Sequence, residues 1–211
     1  VGAFSFAEVI SGMTSYYLGA KSVCPSVTMK VQFVGSWSDP TLEAEAAKAL
    51  IDKGAVMISQ HSDNTTPATT AQERGVFHTG YNNDMTGVAP KASLLSCRID
   101  WTNYFYTFIA NYINGVENPS DYCGEMAKGE VVVTELNEAI AAPGTKEKLA
   151  EVEAKIASGE IQVFDTSTFT VEGKELTHAF ALDTNGDFTP DSEEAVFDGA
   201  FHESYFQSAP Y

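Results

Sequence analysis

Cations are scarce in this 211-residue sequence: 12 Lys and Arg stand against 29 Asp and Glu, for a net charge of −17. Binding to phosphate backbones needs clustered positive charge, so nucleic acid is excluded as a partner, and an anionic membrane surface is disfavoured for the same reason. Cysteine is nearly absent. Cys24, Cys97 and Cys123 are odd in number and show no CxxC spacing, so neither a structural zinc site nor a disulfide framework follows, and free, packed thiols are expected. No run of about 18 apolar residues is present, so nothing reads as a membrane-spanning helix. The signatures GxSxG, HExxH, GxGxxG and the P-loop are missing too. Their absence points away from an enzyme and implies no cofactor.

What is present is an ordinary globular composition, 44% hydrophobic and 19% charged. The first hundred residues alternate strand and helix. Val1 to Phe6 reads as a strand, Ala7 to Lys21 as a helix with Ile10, Met13, Tyr17 and Ala20 on one face, and Thr28 to Val34 as the next strand. Asp39-Pro40 starts a helix carrying Leu42, Ala46, Ala49 and Leu50, and Gly54 ends it. Ala55 to Ser59 is a short apolar run expected to be covered on both faces. Thr66-Pro67 starts another helix, Val76 to Gly80 and Ser93 to Ile99 are further strands, and short connections imply a parallel sheet.

The loops at one end of these strands are chemically loaded. They carry Phe4 and Phe6, Trp37 with Asp39, His61 with Asp63, Asn83 with Asp84, and Asp100 with Trp101, while the loops at the other end are plain. Open α/β sheets bind ligands at the carboxyl ends of their strands, and this one-sidedness marks such a cleft. Taken singly, the residues say less. Trp37 suits either a cap over the sheet end or a stacking platform for a planar ring. Asp39 reads as a helix cap, and Asp84 as either a turn residue or a carboxylate accepting from vicinal hydroxyls. His61, Ser62 and Asp63 are adjacent and cannot adopt triad geometry. His78, His178 and His202 read as structural.

The second half is less regular: an aromatic helix from Trp101 to Asn114, a strand near Glu130 to Leu136, a helix from Thr145 to Ser158 and extended segments over Ile161 to Leu182. Ala195 to Tyr211 is an aromatic tail. Asp183, Asn185 and Asp187 begin a series with the oxygen spacing of an EF-hand loop. Phe188 stands where that loop needs glycine, and Asn185-Gly186 is itself a hairpin signal, so a polar turn is the favoured reading and calcium the lesser one.

The strings FAEVISGMTSYYLGAKSVCPSVTMKVQFVGSWSDPTLEAEAAKALIDKGA, ISQHSDN, GVFHTGYNNDM, APKASLLSCRIDW and KEKLAEVEAKIASGEIQVFD resemble the basic membrane protein family, extracytoplasmic substrate-binding lipoproteins of ABC importers related to purine nucleoside receptors. The resemblance implies a type I periplasmic-binding fold: α/β, with a parallel sheet flanked by helices, the C-terminal lobe complete and the N-terminal lobe largely missing. Its divisions would be an α/β lobe over 1–98, a segment returning toward the other lobe over 99–136, and a helix and hairpin packing back over 137–211. Val1 is not an initiator Met, and the chain opens inside a strand, which fits a piece of a longer protein.

By the same resemblance, Trp37 matches an aromatic position near base or ribose, and Asp84 the Asp that binds ribose hydroxyls. Where nucleoside receptors of the family carry a Lys this chain offers Arg98 or Trp101, and their Gly-rich loop is replaced by His61-Ser62-Asp63. The expected function is extracytoplasmic binding of a purine nucleoside or base between two lobes, with an ABC permease as partner. The expected ligand-binding residues are Trp37, Asp84, Phe4, Phe6, His61, Asp63, Asn83 and Trp101. The alternatives are a nucleoside-processing enzyme using His61 and Asp63, and a ligand sensor for a membrane partner. A lone lobe would leave apolar surface exposed between Trp101 and Tyr112.

Overall fold

The computed structural model describes residues 1–119, 122, 124–165, 167–170 and 173, and the backbone of 178–182 and 192–195. Cys123, the loop holding Asp183, Asn185 and Asp187, His202 and the tail from 196 onward lie outside the described residues.

Helix α1 spans Ala7–Val23, α2 Pro40–Asp52, and strand β1 Met57–Ser59. They are followed by α3 (Thr66–Glu73), β2 (Phe77–Tyr81) and β3 (Ser93–Ile99). The three strands pair in parallel in chain order. The sequence reading put a further strand at Thr28 to Val34. Only its last residues pair, as a single parallel bridge between Phe33 and Gly2, with Gly2 also bridging His61. Gly2 N–H donates to the Gln32 carbonyl at 3.0 Å and Ala3 N–H to that of His61 at 3.1 Å, so the first residues wedge between the two segments.

Asp39 caps α2 as its position implied: its Oδ1 accepts from the N–H groups of Thr41 and Leu42, each at 3.0 Å, and Pro40 fills the first turn. Gly54, at φ +92°, supplies the left-handed residue that ends this segment. In α3 the capping oxygen comes instead from Asn64, whose Oδ1 accepts from Thr66 N–H at 2.8 Å.

The core lies between α2, α3 and one face of the sheet. Ala47, Leu50, Ile58, Ala68, Ala71, Met85, Ala89 and Ala92 form it. Five of these eight are alanines, and those on the helices, Ala47, Ala68 and Ala71, let the helix backbones approach the sheet closely. The buried face of α2 is Glu43, Ala46, Ala47 and Leu50, whereas Leu42 is exposed. The expected stripe was thus displaced by one position. On α1 the buried residues are Val9 and Ser11, and Ile10, Met13, Tyr17 and Ala20 are half-buried.

Strand β1 is not covered on both faces. Ile58 is buried, but Val56, Met57 and the Phe77 paired with Met57 are exposed. Helix α1 crosses this second face, where the Tyr16 hydroxyl donates to Met57 Sδ and accepts from Thr79 Oγ1.

The second half adds α4 (Thr102–Ile113), β4 (Val131–Val133) and α5 (Thr145–Ala157). Strand β4 joins the same sheet antiparallel to β3, so the sheet is mixed at its edge. Residues 163, 164 and 167 lie in turns rather than in a strand, with Asp165 Oδ1 accepting from Ser167 N–H at 2.9 Å. Strands β5 (His178–Leu182) and β6 (Ser192–Ala195) pair antiparallel. Cys24 and Cys97 are free as expected but exposed rather than packed away.

Candidate ligand site

Five rings gather at the carboxyl ends of the strands. Phe4 stacks on Phe6 with centroids 5.0 Å apart, and the Trp37 indole meets Phe4 edge-on at 5.6 Å. Trp37 and His61 are tilted at 6.4 Å, and His61 stacks on Tyr81 at 4.0 Å. Four of the five were singled out in the sequence. Tyr81 was missed as a site residue, although the alternation of β2 puts it on the same face as His61. Phe6 is exposed, and Phe4 and Trp37 are half-buried, so the cluster presents ring faces to solvent.

His61 is 7% exposed, and its Nδ1 is buried without a hydrogen-bond partner among the described residues. Burial lowers its pKa, against the opposing pull of Glu8 and Asp63, so the ring is neutral near pH 7 and offers one donor and one acceptor. A methyl group on Gly12 would sit 3.0 Å from its Cδ2, which is why α1 can lie so close to the ring. Tyr81 is pushed up to about 12, chiefly by burial, and remains a phenol.

The loops bearing these rings are held by buried polar groups. Glu43, fully buried on α2, accepts from Asp39 N–H at 3.1 Å and from Ser62 Oγ–H at 2.7 Å, and also from Asn64 Nδ2. Burial raises its pKa, while the bonds from Ser62 and Asp39 act the other way. Asp63 N–H donates to the Trp37 carbonyl at 2.7 Å, tying the two loops directly. Below them Gln60 Nε2 donates to the carbonyls of Ser62 and Asn64 at 2.9 and 2.8 Å. That leaves Gln60 Oε1 as an acceptor, so the His78 Nε2 lying 2.9 Å away carries the proton and His78 Nδ1 accepts from Ser93 Oγ–H at 3.2 Å. Burial lowers His78 to about 4. It is the structural histidine its strand position implies.

The remaining expected residues stand apart from the rings. Asn83 and Asp84 are exposed in the turn after Tyr81, and Asp84 Oδ1 accepts from Thr86 N–H at 2.9 Å and from Thr86 Oγ1–H at 2.7 Å. The carboxyl of Asp63 is exposed, and no hydrogen bond joins it to His61 among the described residues. Trp101 belongs to a second cluster, meeting Tyr104 at 5.5 Å and Phe105 at 6.0 Å. Arg98 is paired with Asp100 at 3.1 Å. Among the described residues no group of His, Cys, Asp and Glu is placed to hold a metal ion.

Comparison with known proteins shows the family of the chain. The family described as ABC transporter substrate-binding protein, PnrA-like, matches residues 1–167. A purine-binding protein of Brucella abortus (strain 2308) is 35% identical over 180 residues, covering 85% of this chain and 51% of that protein. A candidate ABC transporter glucose-binding protein, TsgA13, of Haloferax volcanii is 32% identical over 176 residues, 83% of this chain and 45% of that protein. The chain thus spans about half the length of the curated relatives it matches. Among solved structures, an ABC transporter solute-binding protein from Conexibacter woesei DSM 14684 has a TM-score of 0.60, covering 76% of this chain and 54% of its own at 18% identity, a likeness of fold.

Proposed function

Because this chain belongs to the PnrA-like family of ABC transporter substrate-binding proteins, we propose that it forms part of an extracytoplasmic receptor that binds a purine base or nucleoside and delivers it to an ABC permease. The observation that carries this reading is the ring cluster of Phe4, Phe6, Trp37, His61 and Tyr81 at the carboxyl ends of the strands. A flat heterocycle stacks on the exposed ring faces of Trp37 and Phe6. The neutral His61 ring and the Asp63 loop address its polar edge, and Asn83 and Asp84 reach toward ribose hydroxyls when a sugar is attached. Trp101 contributes from the neighbouring strand end. Closure of a second lobe over the ring removes water from both partners and supplies most of the affinity.

No bond is made or broken in this reading, and an acid–base pair of His61 and Asp63 lacks the hydrogen bond it would need. The Brucella relative, which is named for purine binding, supports the purine class over the sugar class. Calorimetry on the gene product that carries this chain, with adenine, guanine, adenosine, guanosine, inosine and glucose, tests it. At least one purine compound is expected to bind at micromolar concentration or tighter, in the range of about −8 kcal/mol. Binding of glucose with no purine engaged below millimolar would overturn it.

A further inference from the structure

We propose that Glu43 is a positioning residue for the ligand site, its buried carboxylate setting the spacing between the Trp37–Asp39 loop and the Ser62–Asn64 loop. The proposal rests on the ring cluster being the ligand site. A helix cap needs only local bonds, and Asp39 already provides them at α2. Glu43 instead reaches across to Ser62 and Asn64, 19 and 21 residues away, while its other link is to the Asp39 N–H beside Trp37. It lies on the same buried face as Ala46, Ala47 and Leu50, where an apolar side chain would satisfy packing.

A fully buried carboxylate is costly to hold; among the described residues no Lys, Arg or His is ion-paired with Glu43, and the one cation in its electrostatic reach is the buried Val1 ammonium. What offsets that cost is three donors converging from two loops. The Ser62–Asn64 loop is gripped from the other side by Gln60 on its carbonyls. Glu43 holds its side chains and Gln60 its backbone, so the loop beneath Trp37 has little freedom left. A site ordered before the ligand arrives loses less entropy on binding.

The donors also dictate how substitutions behave. Alanine strands the Asp39 N–H, the Ser62 hydroxyl and the Asn64 amide. Glutamine strands none: its carbonyl oxygen can accept from Asp39 and Asn64, and its NH₂ can donate to Ser62, because a hydroxyl can reverse its role. The conservative variant therefore rescues the geometry without the charge.

The test labels the protein with 5-fluorotryptophan and follows the Trp37 ¹⁹F resonance without ligand, alongside adenine affinity by calorimetry. Glu43→Ala should shift and broaden that resonance and weaken adenine binding about tenfold, whereas Glu43→Gln should restore both to within about twofold of the wild type. Leu50→Ala, on the same helix but facing the core, should lose stability yet keep the resonance and the affinity. An unchanged Trp37 resonance in Glu43→Ala, or equal affinity losses in Glu43→Ala and Leu50→Ala, would overturn the proposal. Should neither adenine nor any of the other purine compounds bind these proteins, the purine reading fails, and the ligand-free resonance still decides whether Glu43 orders the loop.

Discussion

Among the described residues lie two aromatic clusters of five rings each, and they are built differently. The first, around Trp37, has centroid separations of 4.0–6.4 Å. The second, formed by Trp101, Tyr104, Phe105, Phe108 and Tyr122, has separations of 4.2–6.0 Å. Ring density does not tell them apart. The first rests on buried polar groups, namely Glu43, Gln60, Ser62, His78 and Ser93, which fix the loops against the sheet. In the second, Tyr122 is tied to the buried Glu130, but α4 itself has no buried residue. Phe105, Tyr106, Ile109 and Tyr112 are 54–82% exposed, the apolar surface expected between Trp101 and Tyr112. Aromatic content makes a sticky surface; a polar scaffold beneath it makes a shaped one.

The contrast is sharpest in stability. Ile58 and Ile109 are the same residue in the two settings, one 2% and the other 56% exposed. Ile58→Ala should cost about 2–5 kcal/mol, and Ile109→Ala about 0.5 kcal/mol or less, in urea unfolding. Equal losses would erase the distinction between the two regions.

The polar scaffold should leave a signature in acid. His78 sits near 4 in the folded chain, against an ordinary value of 6.5. Between those values the unfolded chain binds a proton that the folded chain refuses. Stability is therefore complete above pH 6.5 and declines as pH falls toward 4, by about 3 kcal/mol from this group. Glu43, raised by burial, contributes with the opposite sign. Subtracting the curve of His78→Gln isolates the histidine share, and a flat difference between pH 4 and 6.5 would contradict the buried network.

Binding separates the clusters next. Loss of a base–aromatic stack costs about 1–3 kcal/mol, so Trp37→Ala should weaken adenine about tenfold or more, and Trp101→Ala by about threefold or less. The smallest effect concerns the turn after β2. Asp84→Ala should weaken adenosine about fivefold while leaving adenine unchanged, since only the nucleoside offers vicinal hydroxyls. Equal losses for both would place Asp84 against the base.

Much of this was legible in the residues themselves. Asp39-Pro40, Gly54 and the apolar runs marked the helices and strands of the first half, because caps and left-handed glycines are local physics. The loaded loops showed which end of the sheet to inspect. Glu43 was not found because a carboxylate is presumed exposed, yet the spacing 43, 46, 47, 50 is the helical period and could have flagged it. The segment at Thr28 to Val34 alternates like a strand but pairs only through Phe33, an outcome set by its neighbour across the sheet and not by its own pattern. The antiparallel edge strand β4 likewise depends on long-range pairing that periodicity does not encode.

The central claim is that the pinned cluster, rather than the exposed one, receives the ligand. This chain has two tryptophans, one in each cluster. With both labelled as 5-fluorotryptophan, a titration with adenine reports on the two regions in a single ¹⁹F spectrum. The account predicts that the Trp37 resonance moves saturably and that the Trp101 resonance moves less. Movement of Trp101 with Trp37 unmoved would contradict it.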